Sequence, residues 1–384
     1  MIQVSERNGF YELDTLNNKS KVNKEAPKNE KYPRRKTRQV MVGNVPVGGG
    51  APISVQTMTK TKTADVKATV EQVKKCQEAG ADIVRITVNT LEAAEAIGEI
   101  VKQVTIPIVS DIHFNYMFAI KAIEAGVAKV RINPGNIGKT ERIRRVLNAA
   151  KERGIPIRIG VNSGSLEKDI LDKHGYPTDE ALFESAMRHV GICKDFGFDD
   201  VIVSVKSTSV PLMISAYRLI AERTDIPLHL GVTEAGTMRI GTIKSSIGIG
   251  TLLSEGIGDT LRVSLTDEPE KEVELGKEIL RTLGFAQRNV EIISCPTCGR
   301  LDVDLFAIVN QLEERVKHIR KPVKVSILGC AVNGPGEAAD ADIGIAASKG
   351  KGLLFRKGVA IRHIPEEDIV DELYKEIMAF VPES

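Results

Sequence analysis

Three of the five cysteines in this 384-residue chain fall within one short stretch. Cys295 and Cys298 form a C-x₂-C turn, Cys295-Pro-Thr-Cys298-Gly299, and 31 residues then separate Cys298 from Cys330, which ends a strand-like run. Three thiolates at this spacing are the donor set of a metal site. A closed structural zinc site needs a fourth protein ligand, whereas a [4Fe–4S] cluster on three cysteines leaves one iron for a weaker oxygen ligand or a substrate. Glu337, Asp340 and Asp342 are the oxygen candidates nearby; His318 and His363 are the nitrogen alternatives, and would favour zinc. Pro296, Gly299, Gly329, Gly334 and Gly336 allow backbone amides to approach sulfur. Cys76 and Cys193 fall in helical patterns and read as inert buried thiols.

A second set of reactive side chains sits on a different rhythm. β-Branched runs at Pro52–Met58, Asp82–Val88, Pro107–Ile112, Ala128–Ile132, Pro156–Val161, Asp200–Val205, Pro227–Val232 and Gly258–Val263 alternate with amphipathic stretches such as Glu92–Val104, Arg142–Arg153, Ala181–Asp195 and Leu212–Arg223. Ala-Gly, Arg-Gly or Ile-Pro pairs mark several of the helix-to-strand junctions. This alternation predicts an α/β fold with a parallel sheet, closed as a (β/α)8 TIM-type barrel, and a doubly wound open sheet is the competitor. The C-terminal ends of the runs carry Gln56, Thr87, Asp111 with His113, Arg131 with Asn133, Arg158 with Asn162, Lys206, His229 with Glu234, and Arg262 with Ser264. A barrel gathers these ends on the face where chemistry sits. A single polar residue leaving a strand needs no function; one at every strand makes a site.

Arg131, Arg158, Lys206 and Arg262 outnumber Asp111 and Glu234 there, which suits an anionic substrate such as a phosphate or diphosphate. Glu234, directly after a strand, is the candidate general acid–base. Lys206 has two readings, a Schiff-base lysine of an aldolase-type barrel with a zinc-stapled tail, or a phosphate-binding cation; its arginine neighbours favour the second. A non-catalytic redox or metal-sensing protein is the third class to weigh.

The elements that must position these groups divide the chain into three. Residues 1–39, with the basic knot Arg34, Arg35, Lys36 and Arg38, read as a poorly ordered, solvated arm; residues 40–287 hold the barrel; residues 288–384 form a small α+β module. That module reads as strands at Val290–Ser294 and Pro322–Leu328, strand-like stretches at Asp342–Ala346 and Gly352–Phe355, and helices at Val303–Ile319 and Glu366–Phe380. With 53 Lys+Arg against 51 Asp+Glu, the net charge of +2 argues against a nucleic-acid binder. No apolar run approaches the ~18–20 residues of a membrane span. Glu6, Glu12 and Asp14 near the start predict no secretory or transit signal, hence a cytoplasmic protein with reduced thiols.

The chain resembles the 4-hydroxy-3-methylbut-2-enyl diphosphate synthases, iron–sulfur reductases of the methylerythritol phosphate route to isoprenoids. The resemblance rests on Val55-Gln-Thr-Met-Thr59, Asp111-Ile-His113, Arg131-Ile-Asn-Pro-Gly-Asn-Ile-Gly138, Ile157-Arg-Ile-Gly-Val-Asn162, Ser204-Val-Lys206, Leu228-His-Leu-Gly-Val-Thr-Glu-Ala-Gly236, Gly256-Ile-Gly-Asp-Thr-Leu-Arg-Val-Ser264, Cys295-Pro-Thr-Cys298 and Gly329-Cys-Ala-Val-Asn-Gly-Pro-Gly-Glu337. It implies a [4Fe–4S] cluster on Cys295, Cys298 and Cys330 with Glu337 on the fourth iron. The implied substrate is 2-C-methyl-D-erythritol 2,4-cyclodiphosphate, with reduced flavodoxin or ferredoxin as electron donor. Substrate contacts are implied for Lys62, Asp111, His113, Arg131, Asn133, Arg158, Asn162, Lys206, His229, Arg262 and Ser264, and proton handling for Glu234. It further implies the bacterial two-domain form, a homodimer in which the cluster domain of one protomer caps its partner's barrel. The family commonly carries Arg at the position of Lys62, which keeps the charge but loses the bidentate fork.

Overall fold

The computed structural model describes residues 4–7, 10–13, 32–132, 137, 140–286, 289–301, 303–330, 341–348 and 350–381. The chain opens with two antiparallel hairpins, β1 (Val4–Arg7) with β2 (Phe10–Leu13) and β3 (Gln39–Val42) with β4 (Val45–Gly48). Neither was expected: the first falls in the arm, and the second at the start of the segment assigned to the barrel. Of the basic knot, Lys36 alone is exposed, and the three arginines are partly buried. Arg34 donates to the Ala51 and Gly258 carbonyls and, at 3.1 Å, to Asp259, while Arg35 donates to the carbonyls of Ala221, Thr224 and Ile226. Fork-shaped guanidinium groups satisfy carbonyls left over at helix and strand ends, so this stretch is fastened to the barrel.

The eight β-branched runs form one parallel sheet of β5 (Ser54–Met58), β6 (Ile83–Thr87), β7 (Ile108–Asp111), β8 (Lys129–Ile132), β9 (Ile157–Asn162), β10 (Val201–Lys206), β11 (His229–Leu230) and β12 (Thr260–Leu261). The order β10-β9-β8-β7-β6-β5-β12-β11 is closed by a parallel bridge between Val203 and Leu228, giving a barrel. Helices α1 (Val66–Glu78), α2 (Leu91–Lys102), α3 (Tyr116–Glu124), α4 (Thr140–Glu152), α5 (Lys168–His174), α6 (Asp179–Asp195), α7 (Val210–Arg223), α8 (Met238–Ser254) and α9 (Pro269–Thr282) surround it. Thr90, Thr178 and Ser209 cap α2, α6 and α7 by accepting from the amides of Ala93, Ala181 and Leu212, which fixes where each of these helices starts.

Outward valines and isoleucines pack against the helices in one continuous core. The inward side is different. At its lower end Ile83, Val109 and Ile202 meet Val40, Val42 and Val47 of the β3–β4 hairpin, which stoppers the barrel. Above them the lumen turns polar.

A second unit comprises the residues from Gln287 onward together with the β1–β2 hairpin. Its sheet runs β13 (Val290–Ser294), β14 (Val323–Leu328), β15 (Ile343–Ser348), β16 (Lys351–Arg356), β17 (Val359–Pro365) in spatial order; β13, β14 and β15 are parallel and the last two antiparallel. Helices α10 (Leu305–Val316) and α11 (Ile369–Ala379) bury their apolar stripes in its core.

Candidate active site

At the C-terminal end of the barrel a cavity of about 140 Å³ is lined by Arg85, Asp111, His113, Arg131, Arg158, Asn162, Ser204, Lys206, Thr233, Arg262 and Ser264. Eight expected contacts are therefore brought together: Asp111, His113, Arg131, Arg158, Asn162, Lys206, Arg262 and Ser264. Asp111 is the hub. Its carboxylate lies 3.2 Å from Arg131, 3.8 Å from Arg85 and 3.8 Å from His113. Burial would raise its pKa, but Arg85, Arg131, His113 and Arg158 more than offset this and hold it down to about 2. Burial and the surrounding cations Arg158, Arg262, Arg85 and Arg131 press the Lys206 ammonium well below its ordinary range. Two glycines make the crowding possible. A Cβ on Gly160 would stand 2.6 Å from Arg131 Nε, and one on Gly231 would stand 2.6 Å from the Arg262 carbonyl and 2.7 Å from Lys206 Nζ.

Two charged contributors escaped the sequence reading, as did the lining residues Ser204 and Thr233. Arg85 lies in the middle of β6 and rests its guanidinium against Met58 sulfur, 2.9 Å from Nη2. Burial draws it down to about 10, so it stays cationic. A lone arginine inside an apolar parallel strand was the available signal. Glu272 sits on the buried stripe of α9 and accepts from Arg262 at 3.2 Å, Thr57 Oγ1 at 2.8 Å and the Leu265 amide at 3.0 Å, fixing the last-strand cation. A carboxylate on an apolar helix face was its mark.

Other expectations divide. His229 is fully buried below the cavity and does not line it, because it leads a two-residue strand whose end is Leu230. Lys62 is exposed in the β5–α1 loop and is not among the lining residues; its backbone carbonyl accepts from the Asp65 amide. Glu234 is exposed on the loop after β11 with φ +50°, a left-handed conformation rare outside glycine, which turns the carboxylate-bearing residue out of the strand line. Asn133 and Glu337 lie outside the described residues.

In the second unit, Cys295 follows β13 and Cys330 follows β14, neighbouring parallel strands, so both leave the sheet at the same end. Thr297, at φ +62°, turns the chain between Cys295 and Cys298. The Arg300 backbone and guanidinium beside Cys298 lower its thiol, whereas burial pushes Cys76 and Cys193 up to about 12. The nitrogen alternatives are removed: His318 precedes β14, at the end opposite Cys330, and His363 lies on β17 with three strands between it and β13. Asp342 also sits at the strand starts, accepting from the Lys324 amide at 2.8 Å. Among the described residues no three His, Cys, Asp or Glu side chains form a metal-binding group. The donor chemistry nonetheless suits a three-thiolate site at these strand ends.

Residues 37–277 match the family model described as the GcpE TIM-barrel domain, and residues 291–379 match the GcpE protein C-terminal domain. The chain is 56% identical over 342 residues, 89% of its length and 98% of the relative's, to 4-hydroxy-3-methylbut-2-en-1-yl diphosphate synthase (flavodoxin) of Clostridium perfringens. It is 57% identical over 344 residues, 90% of this chain and 99% of the relative, to the protein of the same name from Clostridium acetobutylicum. Among solved structures, dihydropteroate synthase from Stenotrophomonas maltophilia aligns with a TM-score of 0.48 at 14% identity, over 65% of this chain and 97% of that one. No helix among the described residues is long and apolar enough to cross a membrane. With both of its domains matched and more than half of the aligned residues identical to such relatives, the chain belongs to the GcpE family, the oxidoreductases named 4-hydroxy-3-methylbut-2-en-1-yl diphosphate synthase.

Proposed function

We propose that the chain opens 2-C-methyl-D-erythritol 2,4-cyclodiphosphate reductively and dehydrates it to 4-hydroxy-3-methylbut-2-enyl diphosphate. Two electrons come from reduced flavodoxin or ferredoxin, and a [4Fe–4S] cluster is held by Cys295, Cys298, Cys330 and Glu337. The observation that carries this reading is the crowded cation set of the barrel mouth, in which Lys206 is pressed down chiefly by its burial and by Arg158 and Arg262. Such a set is completed by a dianionic ligand, which favours the lysine's charged form and relieves the repulsion.

The residues divide the work. Arg131, Arg158, Lys206 and Arg262, with Asn162, Ser264 and Asn133, hold the diphosphate; Lys62 approaches it from the loop. Asp111 keeps Arg131 and His113 turned into the bowl. Two electrons enter as the ring carbon–oxygen bond to phosphate breaks. The C3 hydroxyl then leaves as water, with its proton supplied from Glu234, whose exposure at the mouth lets it reload from solvent. When bound, the cluster supplies one-electron transfers and an iron open to a substrate oxygen. The active form is a homodimer in which one protomer's cluster domain serves its partner's barrel.

Anaerobic purification followed by metal and sulfide analysis, a visible spectrum and turnover with the cyclodiphosphate tests this. Iron and sulfide in equal amounts with brown colour and diphosphate product are expected. Zinc at one per chain with no chromophore overturns it.

A further inference from the structure

The helices around the barrel turn charged faces to water. α4 pairs Arg144 with Glu141 there, and α9 pairs Lys271 with Glu274 and Arg281 with Glu278. α8 departs from this. Between Met238 and Ser254 it has no acidic residue and only Arg239 and Lys244 as basic ones. Ser245, Gly248, Ile249, Leu252 and Leu253 form its buried side. Its outward side shows Ile240, Ile243 and Ile247, exposed by 47%, 50% and 54%. Gly250 and Ser254 continue the same stripe, so five positions follow one another at alternating steps of three and four residues. That is the spacing of a helix face that packs on another helix. Isoleucines gathered on one exposed face mark a surface that is covered in the working protein.

The stripe is complementary to itself. Its large residues occupy the N-terminal half and its small ones the C-terminal half. A methyl on Gly250 would meet nothing within 4 Å, and the Ser254 hydroxyl is already spent on the Thr251 carbonyl at 2.8 Å. A second α8 laid antiparallel about Ile247 therefore brings Ile240 against Ser254, Ile243 against Gly250 and Ile247 against its own copy. The charges agree with this register. Arg239 and Glu255 lie equally far from Ile247, on opposite sides, so the antiparallel pair sets each against the other. Arg239 has no ion-pair partner among the described residues. Glu255, the C-cap of α8, holds Arg218 at 2.9 Å and retains lone pairs for a second guanidinium. Opposed helix dipoles favour the same arrangement. Only an interface between identical chains must match itself in this way. The chain path gives the pairing a consequence. α9 runs back to the end of the barrel where the strands begin, and from there the chain leaves for the second unit. Antiparallel α8 helices turn the two barrels in opposite senses, which carries each exit towards the partner's mouth.

We propose that the dimer interface is α8 packed antiparallel on α8 of a second copy, about a two-fold axis at Ile247, with Ile240, Ile243 and Ile247 buried and Arg239 paired with Glu255 of the partner subunit. The interface rests on the homodimer of the reading above and is independent of its chemistry.

Sedimentation of the full-length protein tests it. The wild type is expected to run as a dimer whose melting temperature rises with protein concentration, as linkage requires. Ile247→Asp, which puts two carboxylates on the axis, is expected to run as a folded monomer with an unchanged far-ultraviolet spectrum and concentration-independent melting. Arg239→Glu is expected to weaken association at least tenfold. Should Ile247→Asp fail to fold, Ile247→Cys decides: mild oxidation is expected to yield a covalent dimer whose disulfide joins position 247 to itself in peptide mapping. A monomeric wild type, a dimer that survives Ile247→Asp, an Arg239→Glu variant of undiminished association, or cross-links confined to the native cysteines each overturns the proposal. Turnover of the cyclodiphosphate is read separately. A dimer with this interface and no turnover sinks the proposed reaction alone, and a monomer with full turnover sinks the interface alone.

Discussion

Glu272 never reaches the cavity, yet it decides where one of the bowl's cations points, because Arg262 leans on its carboxylate at 3.2 Å. Glu272→Gln loses the charge and keeps one acceptor oxygen where the carboxylate uses two, Oε2 for Thr57 and Oε1 for the Leu265 amide. Steady-state kinetics are expected to show KM for the cyclodiphosphate rising about tenfold, or about 1.4 kcal/mol, with a smaller change in kcat. Asp111 makes a separate prediction about acid. Its pKa falls from about 3.9 in the unfolded chain to about 2 in the fold. The stabilisation is therefore fully present above pH 4 and is lost as pH falls towards 2. Chemical denaturation between pH 5 and 2 should show this slope, and Asp111→Asn should flatten it while lowering stability at neutral pH. At this scale the sequence was informative wherever a charged residue ended a strand. It was misleading at His229, which the same rule would lift into the bowl, because β11 and its loop run differently from the longer strands.

Elements explain why two glycines in the same lumen behave differently. A methyl on Gly160 meets only the guanidinium of Arg131, the far end of a flexible side chain, whereas one on Gly231 also meets the backbone carbonyl of Arg262. Gly160→Ala is expected to leave the melting temperature nearly unchanged while weakening inorganic pyrophosphate binding at least tenfold by calorimetry. Gly231→Ala should instead lower the melting temperature itself. The barrel strands were legible because buried parallel strands are uniformly β-branched and bounded by Gly and Pro. The β3–β4 hairpin and β17 were harder to see, although their turns were signalled by Gly43-Asn44 and by Lys357-Gly358, with positive φ at Gly43, Lys357 and Gly358. Four-residue strands flanked by charges do not stand out from a solvated arm, and only the packing of Val40, Val42 and Val47 into the lumen reveals their role.

For the whole molecule, the proposed exchange of cluster domains between protomers carries its own test. Neither Glu234→Ala nor Cys330→Ser is expected to turn over alone. Mixed and allowed to exchange subunits, the two should regain activity, because one mixed dimer holds an intact barrel facing an intact cluster domain. Continued inactivity despite proven subunit exchange would count against the shared site. The two-domain layout was visible in the sequence as a change of rhythm, whereas the fastening of Arg34 and Arg35 was not, since their partners are carbonyls and Asp259 far along the chain. That fastening also dictates an order of events during synthesis. Arg34 closes on Gly258 and Asp259, 224 and 225 residues later, so the first part of the barrel to leave the ribosome is among the last to be locked. Until the final strand emerges the nascent chain carries an open sheet edge, the form in which it most needs a chaperone.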